Sequence, residues 1–221
     1  MARQDDLVID VGANLGLDTA AYLAQGYRVV AIEPIPSLAA LLRETFRTQI
    51  DAQRAEVLEV AVGHTSGRTT FYVSRESTVY SSLTQKHAAR EGGVEEIEVE
   101  VVTLAEVLAR CGVPHYLKVD TEGGELAALE GLRGRASGDL PRYLSAEWGW
   151  DGSAEMLPLL TACGYNGFKF VDQGLLPYLT SGPFGEDAAG EWVAPGALAL
   201  PAATPGHWYD LHARRAETIG A

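Results

Sequence analysis

A glycine-bearing turn between a buried strand and a helix is the feature that most constrains the fold. The run Leu7–Val11 is apolar except for Asp10 and ends at Gly12, and apolar residues recur at helical spacing from Leu15 to Gln25. This order of strand, turn and helix predicts the first unit of a parallel α/β sheet. Its turn lies at the carboxyl end of the strand, where such sheets bind their ligands.

Most of the remaining chain continues this alternation of strands and helices. Strands are predicted at Arg28–Ile32, Val57–Val62, Tyr116–Asp120, Tyr143–Glu147, Phe168–Val171 and Trp208–His212. Helices are predicted at Ser37–Phe46, with Ser37 as the N-cap, and at Leu104–Ala109, Glu125–Leu132 and Ala154–Cys163. We therefore expect an α/β fold built around a mostly parallel sheet.

The middle of the chain departs from this rhythm. Thr69–Val73 and Val79–Leu83 are predicted as short strands, and Glu95–Val102 alternates glutamate with apolar residues. A period of two indicates one packed and one solvated face, as in an antiparallel edge strand. We interpret residues 65–102 as a β insertion after the third strand of a single domain that spans residues 1–221.

Charge and cysteine content exclude several classes of protein. The chain has 17 Lys and Arg against 30 Asp and Glu, a net charge of −13, which disfavours binding to nucleic acid or to an anionic membrane surface. It has no apolar run long enough to span a membrane and no signal peptide before the first strand, so we expect a cytoplasmic protein. Cys111 and Cys163 lack metal-ligand spacing and are expected to be reduced thiols.

The turn after the first strand is suited to a nucleoside cofactor. Gly12 allows a tight turn, Gly16 allows a ligand to approach the backbone, and the helix that follows offers free N–H groups. Glu33 ends the second strand, where an acidic side chain can accept hydrogen bonds from ribose hydroxyls. A plain βα turn and a solvated surface glutamate are the alternative interpretations.

The glycine spacing favours S-adenosylmethionine (SAM) over NAD. A dinucleotide loop has the pattern G-x-G-x-x-G, whereas Ala-Asn-Leu separates Gly12 from Gly16 here, and the middle glycine is missing. Asp10, at the end of the strand, would repel a phosphate but could help to hold an ammonium group. We therefore predict a SAM site.

Five sequence blocks resemble the FkbM family of SAM-dependent methyltransferases. They are Asp10–Gly16 with Thr19 downstream, Ala31–Pro34, Lys118–Gly123, Glu125–Gly131 and Ser145–Glu147. The match runs from about Leu7 to Trp148. The resemblance implies a Rossmann-like class I methyltransferase fold, with a seven-stranded sheet and helices on both faces. It also implies methylation of hydroxyl groups on sugars, polyketides or other secondary metabolites.

The expected cofactor residues lie in these blocks and around the insertion. Val62 and His64 flank the end of the third strand, where adenine lies in this fold, and the pair Ser81 and Ser82 faces the cofactor in related sequences. His87, in a polar stretch, is expected at the surface. The candidate cofactor-binding residues are Asp10, Gly12, Asn14, Gly16, Thr19, Glu33, Pro34, Val62, His64 and Ser82.

Methyl transfer needs an aligned acceptor, and an alcohol acceptor profits from a general base or a metal ion. Lys118, Asp120 and Glu122 alternate along a predicted strand and so share a face. We expect Asp120 or Glu122 to accept the hydroxyl proton or to hold a divalent ion such as Mg²⁺, and Lys118 to fix their charge or orient the substrate. The alternative is a structural salt-bridge cluster, with Glu122 serving the dipole of the next helix.

Substrate enclosure is expected from the β insertion, from the loop-rich segment 173–206 or from a second subunit, because the chain starts almost on its first strand. Trp148 and Trp150 are candidates for an apolar wall, and Ser181–Asp187 has the composition of a lid. Gly124 stands where the family more usually has Ala. The expected partners are a small-molecule hydroxyl acceptor and a second copy of the chain.

Two other functions fit parts of the sequence. Tyr165 and Lys169 match the Tyr-x-x-x-Lys spacing of short-chain dehydrogenases, but Gly164 and Gly167 disfavour the helix that this pair requires. A SAM-binding partner subunit without turnover is the non-enzymatic alternative. Retention of Asp120 and Glu122 argues against it.

Overall fold

A seven-stranded sheet with helices on both faces forms the centre of the fold, and a three-stranded sheet lies beside it. The computed structural model describes residues 3–149, 151–172, 191–201 and 208–215. The strands are β1 (Arg3–Val11), β2 (Arg28–Ile32), β3 (Ala55–Leu58), β4 (Ala61–Gly63), β5 (Gly67–Ser74), β6 (Val94–Thr103), β7 (Val113–Val119), β8 (Tyr143–Trp148), β9 (Gly167–Asp172) and β10 (Tyr209–Arg214). The α-helices are α1 (Leu17–Ala24), α2 (Pro36–Thr45), α3 (Arg47–Asp51), α4 (Gln85–Ala88), α5 (Leu104–Cys111), α6 (Glu125–Leu129) and α7 (Ser153–Ala162).

The central sheet has the strand order β3-β2-β1-β7-β8-β10-β9. The first five of these strands are parallel, and β10 runs antiparallel to both β8 and β9. The predicted mostly parallel, seven-stranded sheet is thus confirmed. Because the order reverses at β1 and β7, the carboxyl ends of these two strands open a crevice between them.

β5 and β6 of the insertion form a second sheet together with β4, which precedes the insertion, and β6 lies between β4 and β5. β6 is therefore a central strand, and the prediction of an edge strand is wrong, although its alternation is real: Val99 and Val101 are buried between exposed glutamates. The single strand predicted at Val57–Val62 is also wrong, because β3 joins the central sheet while β4 joins β6.

The strand predicted at Val79–Leu83 is a 3-10 helix at Thr78–Tyr80 followed by one bridge from Ser82 to Tyr72. Serine hydroxyls take the place of ladder bonds here: Ser81 Oγ accepts from the Ser74 amide and Ser82 Oγ from the Thr84 amide. Such local side-chain bonds compete with strand pairing.

The two faces of the central sheet have separate cores. On one face, α5, α6 and α7 pack against the alternate residues Leu7, Ile9 and Val11 of β1. On the other face, α1 and α2 pack against Val8 and its neighbours in β2. Helices on both faces follow from this division of apolar side chains.

Proline sets the start of α2. Pro36 occupies its first turn and Ile35 is the N-cap, so the prediction of Ser37 as the cap is wrong. The ring of Pro36 has the backbone angle of a helix and needs no amide partner there, which favours a helix starting at that residue.

In the described part of the chain, no helix combines the length and apolarity needed to cross a membrane. Three sequence-based expectations fall outside the described residues: the role of Trp150, the lid at Ser181–Asp187 and most of the segment 173–206.

Candidate functional site

A cleft lies at the carboxyl ends of β1, β2 and β7, and the insertion closes one of its sides. Its volume, including the open mouth, is about 610 Å³. The lining residues are Val11, Gly12, Asn14, Ile32, Glu33, Pro34, Ile35, Val60, Ala61, Val62, Phe71, Thr78, Val79, Ser81, Leu83, Asp120, Thr121 and Glu122.

Gly12 allows the turn after β1 to touch the end of β7. Its φ angle is +84°, and a Cβ at this position would lie 1.7 Å from the carbonyl oxygen of Asp120. The amides of Gly12 and Ala13 donate to the carbonyl oxygen of Ile32 at 2.9 and 3.0 Å. Glycine is therefore required here both for its conformation and for the close approach of the two strands.

Glu33 ties the β1 turn to the end of β2. Its buried carboxylate accepts the amide of Asn14 at 2.9 Å on Oε2 and the amide of Ile35 at 2.8 Å on Oε1. Burial raises the pKa of Glu33 to about 7, although the two amides oppose that rise. Each oxygen keeps a further lone pair, so the carboxylate can still accept from a ligand in the cleft.

Asp10, Thr19 and Lys118 lie beneath the turn, and none of the three lines the cleft. Thr19 Oγ1 donates to Asp10 Oδ2 at 2.6 Å. Lys118 Nζ lies 2.6 Å from Asp18 Oδ2 and 3.1 Å from Asp120 Oδ2. The structure thus places Asp10 and Thr19, predicted to bind the cofactor, and Lys118, predicted to be catalytic, in a network that supports the cleft from below.

The charges of this network are perturbed by burial. Burial raises the pKa of Asp10 to about 6, and its Oδ1 atom has no hydrogen-bond partner among the described residues. Burial acts to lower the pKa of Lys118, but the carboxylates of Asp120, Asp18 and Asp10 outweigh it and raise that pKa well above its usual value. Lys118 is therefore charged.

Asp120 and Glu122 line the cleft, and Glu147, which does not line it, lies beside them. One carboxylate oxygen of each lies within 4.8 Å of the others. Oxygen donors of this kind suit Mg²⁺. Asp120 and Glu122 are, however, already paired with cations, since Lys118 contacts the first and Arg90 contacts the second.

The turn after β7 is held by Glu125. Its carboxylate accepts the Thr121 amide at 2.7 Å and the Gly123 amide at 3.0 Å. Burial raises the pKa of Glu125 to about 7. Glu125, and not Glu122, therefore serves the free amides before α6.

Glu122 has a different environment. Burial raises its pKa to about 7, with a further rise from Asp120, and the guanidinium of Arg90 opposes both. Arg90 Nη2 lies 2.7 Å from Glu122 Oε2. A carboxylate with this pKa can exchange a proton near neutral pH.

Four of the predicted cofactor residues line the cleft in addition to Glu33: Gly12, Asn14, Pro34 and Val62. Three others do not. Gly16 begins α1 with a φ of +80° against Leu42 and Phe46, His64 is exposed, and Ser82 donates its hydroxyl to the carbonyl oxygen of Glu122 at 2.9 Å.

The expectation that His87 lies at the surface is wrong. His87 is buried against Gly123, where a Cβ would lie 1.9 Å from His87 Nδ1. Three further residues near the site were not predicted from the sequence, namely Asp18, Arg90 and Glu125. Glu125 alone had a usable signal, because it follows the strand-end block and opens a helix.

The sheet order and the cleft at the carboxyl ends of its parallel strands define a Rossmann-like class I methyltransferase fold. The family model "Methyltransferase FkbM domain" matches residues 10–166. The chain belongs to the FkbM methyltransferase family.

Solved structures are similar to this chain at low sequence identity. The methyltransferase FkbM from Methylobacillus flagellatus KT is 21% identical with a TM-score of 0.50, and the match covers 73% of this chain and 38% of that one. A precorrin-6y C5,15-methyltransferase from Geobacter metallireducens GS-15 is 13% identical with a TM-score of 0.46, over 98% and 82% of the two chains.

The 1,6-didemethyltoxoflavin-N1-methyltransferase from Burkholderia thailandensis, solved with S-adenosylhomocysteine, is 14% identical with a TM-score of 0.43, over 97% and 72% of the chains. Of these proteins, the FkbM methyltransferase from Methylobacillus flagellatus is much longer than its match, and the present chain spans little more than a third of it. No curated protein matches the sequence.

Proposed function

We propose that the protein is a SAM-dependent O-methyltransferase that acts on a hydroxyl of a small molecule, such as a sugar, a polyketide or another secondary metabolite. The observation that carries the proposal is a single cleft with a strand-end glutamate, Glu33, on one side and the carboxylates of Asp120 and Glu122 on the other. Membership of the FkbM family supports methyl transfer as the reaction.

The cleft has separate surfaces for the parts of the cofactor. We assign the ribose hydroxyls to Glu33, which keeps free lone pairs beside its two amide bonds. The apolar wall of Ile35, Val62 and Phe71 suits an adenine ring. Gly12 and Asn14 of the β1 turn also line the cleft, and we assign the amino-acid end to this turn.

SAM, when bound, supplies a methyl group on a sulfonium that an acceptor oxygen can displace. The residues of this chain position the acceptor and take its proton at a carboxylate oxygen of Asp120 or Glu122. Lys118 lies beneath Asp120 and holds its carboxylate in place, with Nζ 3.1 Å from Asp120 Oδ2. The new bond joins the acceptor oxygen to the methyl carbon, and the electron pair of the broken bond stays with sulfur.

Calorimetry with SAM, S-adenosylhomocysteine and NADH tests the cofactor assignment. We expect binding of the first two and none of NADH. Glu33→Ala should weaken SAM binding by about 1–3 kcal/mol, the cost of leaving buried hydroxyls unpaired. Glu44→Ala, which removes an exposed glutamate of α2, is the matched control. Tight binding of NADH, or equal SAM affinity in the Glu33 variant, would contradict the assignment.

Formation of S-adenosylhomocysteine with a panel of sugars, polyketide alcohols, amines and carbon acids tests the reaction. Asp120→Asn should abolish turnover while SAM still binds. Methylation of the amines or carbon acids alone would overturn O-methylation. SAM binding with no turnover on the whole panel would favour the non-catalytic subunit. Loss of activity in EDTA would assign the carboxylates to a divalent ion.

A further inference from the structure

An arginine of the insertion reaches the carboxylates at the cleft. Arg90 follows α4, outside every sequence block that resembles the family. Its Nη2 atom donates to Glu122 Oε2 at 2.7 Å, and its Nη1 atom donates to the carbonyl oxygen of His87 at 3.1 Å. The guanidinium carbon lies 4.0 Å from the ring centroid of Tyr80. Three contacts of different kinds therefore fix its orientation.

The same insertion holds the backbone on which Glu122 lies. Glu122 has a φ of 56° and Gly123 a φ of 100°, so two successive residues adopt the left-handed region. Ser82 donates to the carbonyl oxygen of Glu122 at 2.9 Å. A left-handed glutamate is unfavourable on its own and persists only when its surroundings hold it.

Arg90 also balances charge at this edge of the sheet. The side chains of Arg90 and Glu122 are only 20% and 17% exposed, so water screens their interaction weakly. Asp120 and Glu147 place two more carboxylates within 4.8 Å of Glu122, while Lys118 contacts Asp120 from below. Arg90 therefore offsets the repulsion that these carboxylates exert on an ionised Glu122 and holds its Oε2 in place.

We propose that Arg90 is a positioning residue for methyl transfer. Arg90 acts through Glu122 by holding the Glu122 carboxylate in the cleft beside Asp120. This inference rests on the proposed function, because it assigns Glu122 to the acceptor side of the SAM site. It also gives the insertion a role in the site, since the insertion supports the turn that carries the acidic residues.

Hydrogen exchange tests the positioning without an acceptor. In Arg90→Gln, the amides of residues 121–125 should exchange at least about tenfold faster than in the wild type, because the turn loses one of its supports. Arg68→Gln is the matched control, since Arg68 pairs with Glu98 in the same insertion but is largely exposed. Unchanged exchange in Arg90→Gln would overturn the proposal. If Arg90→Gln does not fold, Arg90→Lys takes its place, because lysine keeps the charge but loses the planar guanidinium.

Kinetics with the acceptor found by the panel test the catalytic consequence. We expect Arg90→Gln to lower kcat about tenfold or more while the Kd of SAM changes less than about threefold, with partial recovery in Arg90→Lys. Adding Arg90→Gln to Glu122→Gln should cause no further loss, because Arg90 acts through Glu122. If the losses in kcat of the two single variants add in the double variant, or if SAM affinity falls as much as kcat, Arg90 does not act through Glu122. Failure of the wild type to bind SAM would instead overturn the proposed function.

Discussion

Gly12 sets the distance between the two strands at the centre of the cleft. Replacement by alanine would push a Cβ into the Asp120 carbonyl oxygen, 1.7 Å away, and would strain a φ of +84°. We expect Gly12→Ala to lower the free energy of unfolding by about 2–4 kcal/mol and to abolish SAM binding. Urea unfolding and calorimetry measure the two effects.

Gly134 provides the control for that substitution. Its φ is +72°, and no described atom lies within 4 Å of the place that a Cβ would take. Gly134→Ala should therefore cost only the backbone strain, about 1 kcal/mol. Equal losses in the two variants would show that strain alone, and not contact with Asp120, limits position 12.

Lys118 illustrates the cost of an unbalanced charge. It contacts the partly buried Asp18 and Asp120 in a network that also holds the buried Asp10. We expect Lys118→Met to lower the free energy of unfolding by about 2–4 kcal/mol, because it leaves three carboxylates in and around the interior without their cation. Lys86→Met, which breaks an exposed pair with Asp151, should leave stability within experimental error. Recovery of stability in a Lys118→Met/Asp18→Asn variant would identify charge as the cause.

Residue types at strand ends were a reliable guide to the cleft. Glu33 and Asp120 line it because each follows a buried parallel strand, and such ends meet at one edge of a sheet. Asp10 and Lys118 lie within their strands, each one residue before the strand ends, and so they lie beneath the cleft. Arg90 gave no signal, because its place depends on how the whole insertion folds.

The start of α5 carries a capping box, which links the insertion to the central sheet. Thr103 Oγ1 accepts the Glu106 amide at 3.2 Å, and the Glu106 carboxylate accepts the Thr103 amide at 2.7 Å. We expect Thr103→Ala to lower the Tm by about 2–4 °C and Thr103→Ser to leave it nearly unchanged. Equal Tm values for Thr103→Ala and the wild type in differential scanning fluorimetry would refute this role.

The elements of the insertion were harder to predict than those of the central sheet. An apolar run such as Val57–Val62 shows that its residues are buried but not that β3 and β4 belong to different sheets. The glutamate alternation in β6 correctly indicates one solvated face. It cannot indicate how many neighbours the strand has, since that depends on pairing with distant residues.

The free energy of unfolding should fall as the pH rises from mildly acidic to neutral. Burial raises the pKa of Glu33 and of Glu125 to about 7 from 4.5. Between pH 4.5 and 7 these two carboxyls bind more protons in the folded chain than in the unfolded chain, so their contribution to stability falls as pH rises through this window. Burial lowers the pKa of His212 to about 3, which opposes this trend below pH 6.5. Because two carboxyls outweigh one imidazole, we expect the unliganded protein to be more stable at pH 5.5 than at pH 7.5 by about 1–3 kcal/mol.

Urea titrations at the two pH values measure this difference. Glu125→Gln cannot titrate, and its one carbonyl oxygen can still accept both amides, because Glu125 Oε1 lies 2.7 Å from the Thr121 amide and 3.2 Å from the Gly123 amide. It should therefore show a smaller dependence on pH than the wild type. A wild-type protein that is more stable at pH 7.5 would show that the buried glutamates are better solvated than their contacts indicate.

At the scale of the whole chain, the parallel half of the sheet was predictable because each strand is followed by a helix that must pack on it. The antiparallel half was not. β9 and β10 both read as strands, but nothing in their local pattern places β10 between β8 and β9. That order is set by pairing between residues 143–148 and 209–214, which are far apart in sequence.

The interior position of β10 has a consequence for synthesis on the ribosome. β9 pairs with β10 and, within the described residues, with no other strand of the central sheet; its one further pairing is a single bridge from Phe168 to Val193. Until β10 has emerged, the nascent chain exposes the edge of β8 and the edge of β9 that β10 will occupy, and both are open to strands of other chains. A pause in translation between β9 and β10 would prolong that exposure, and the half-finished sheet would be a natural client for chaperones.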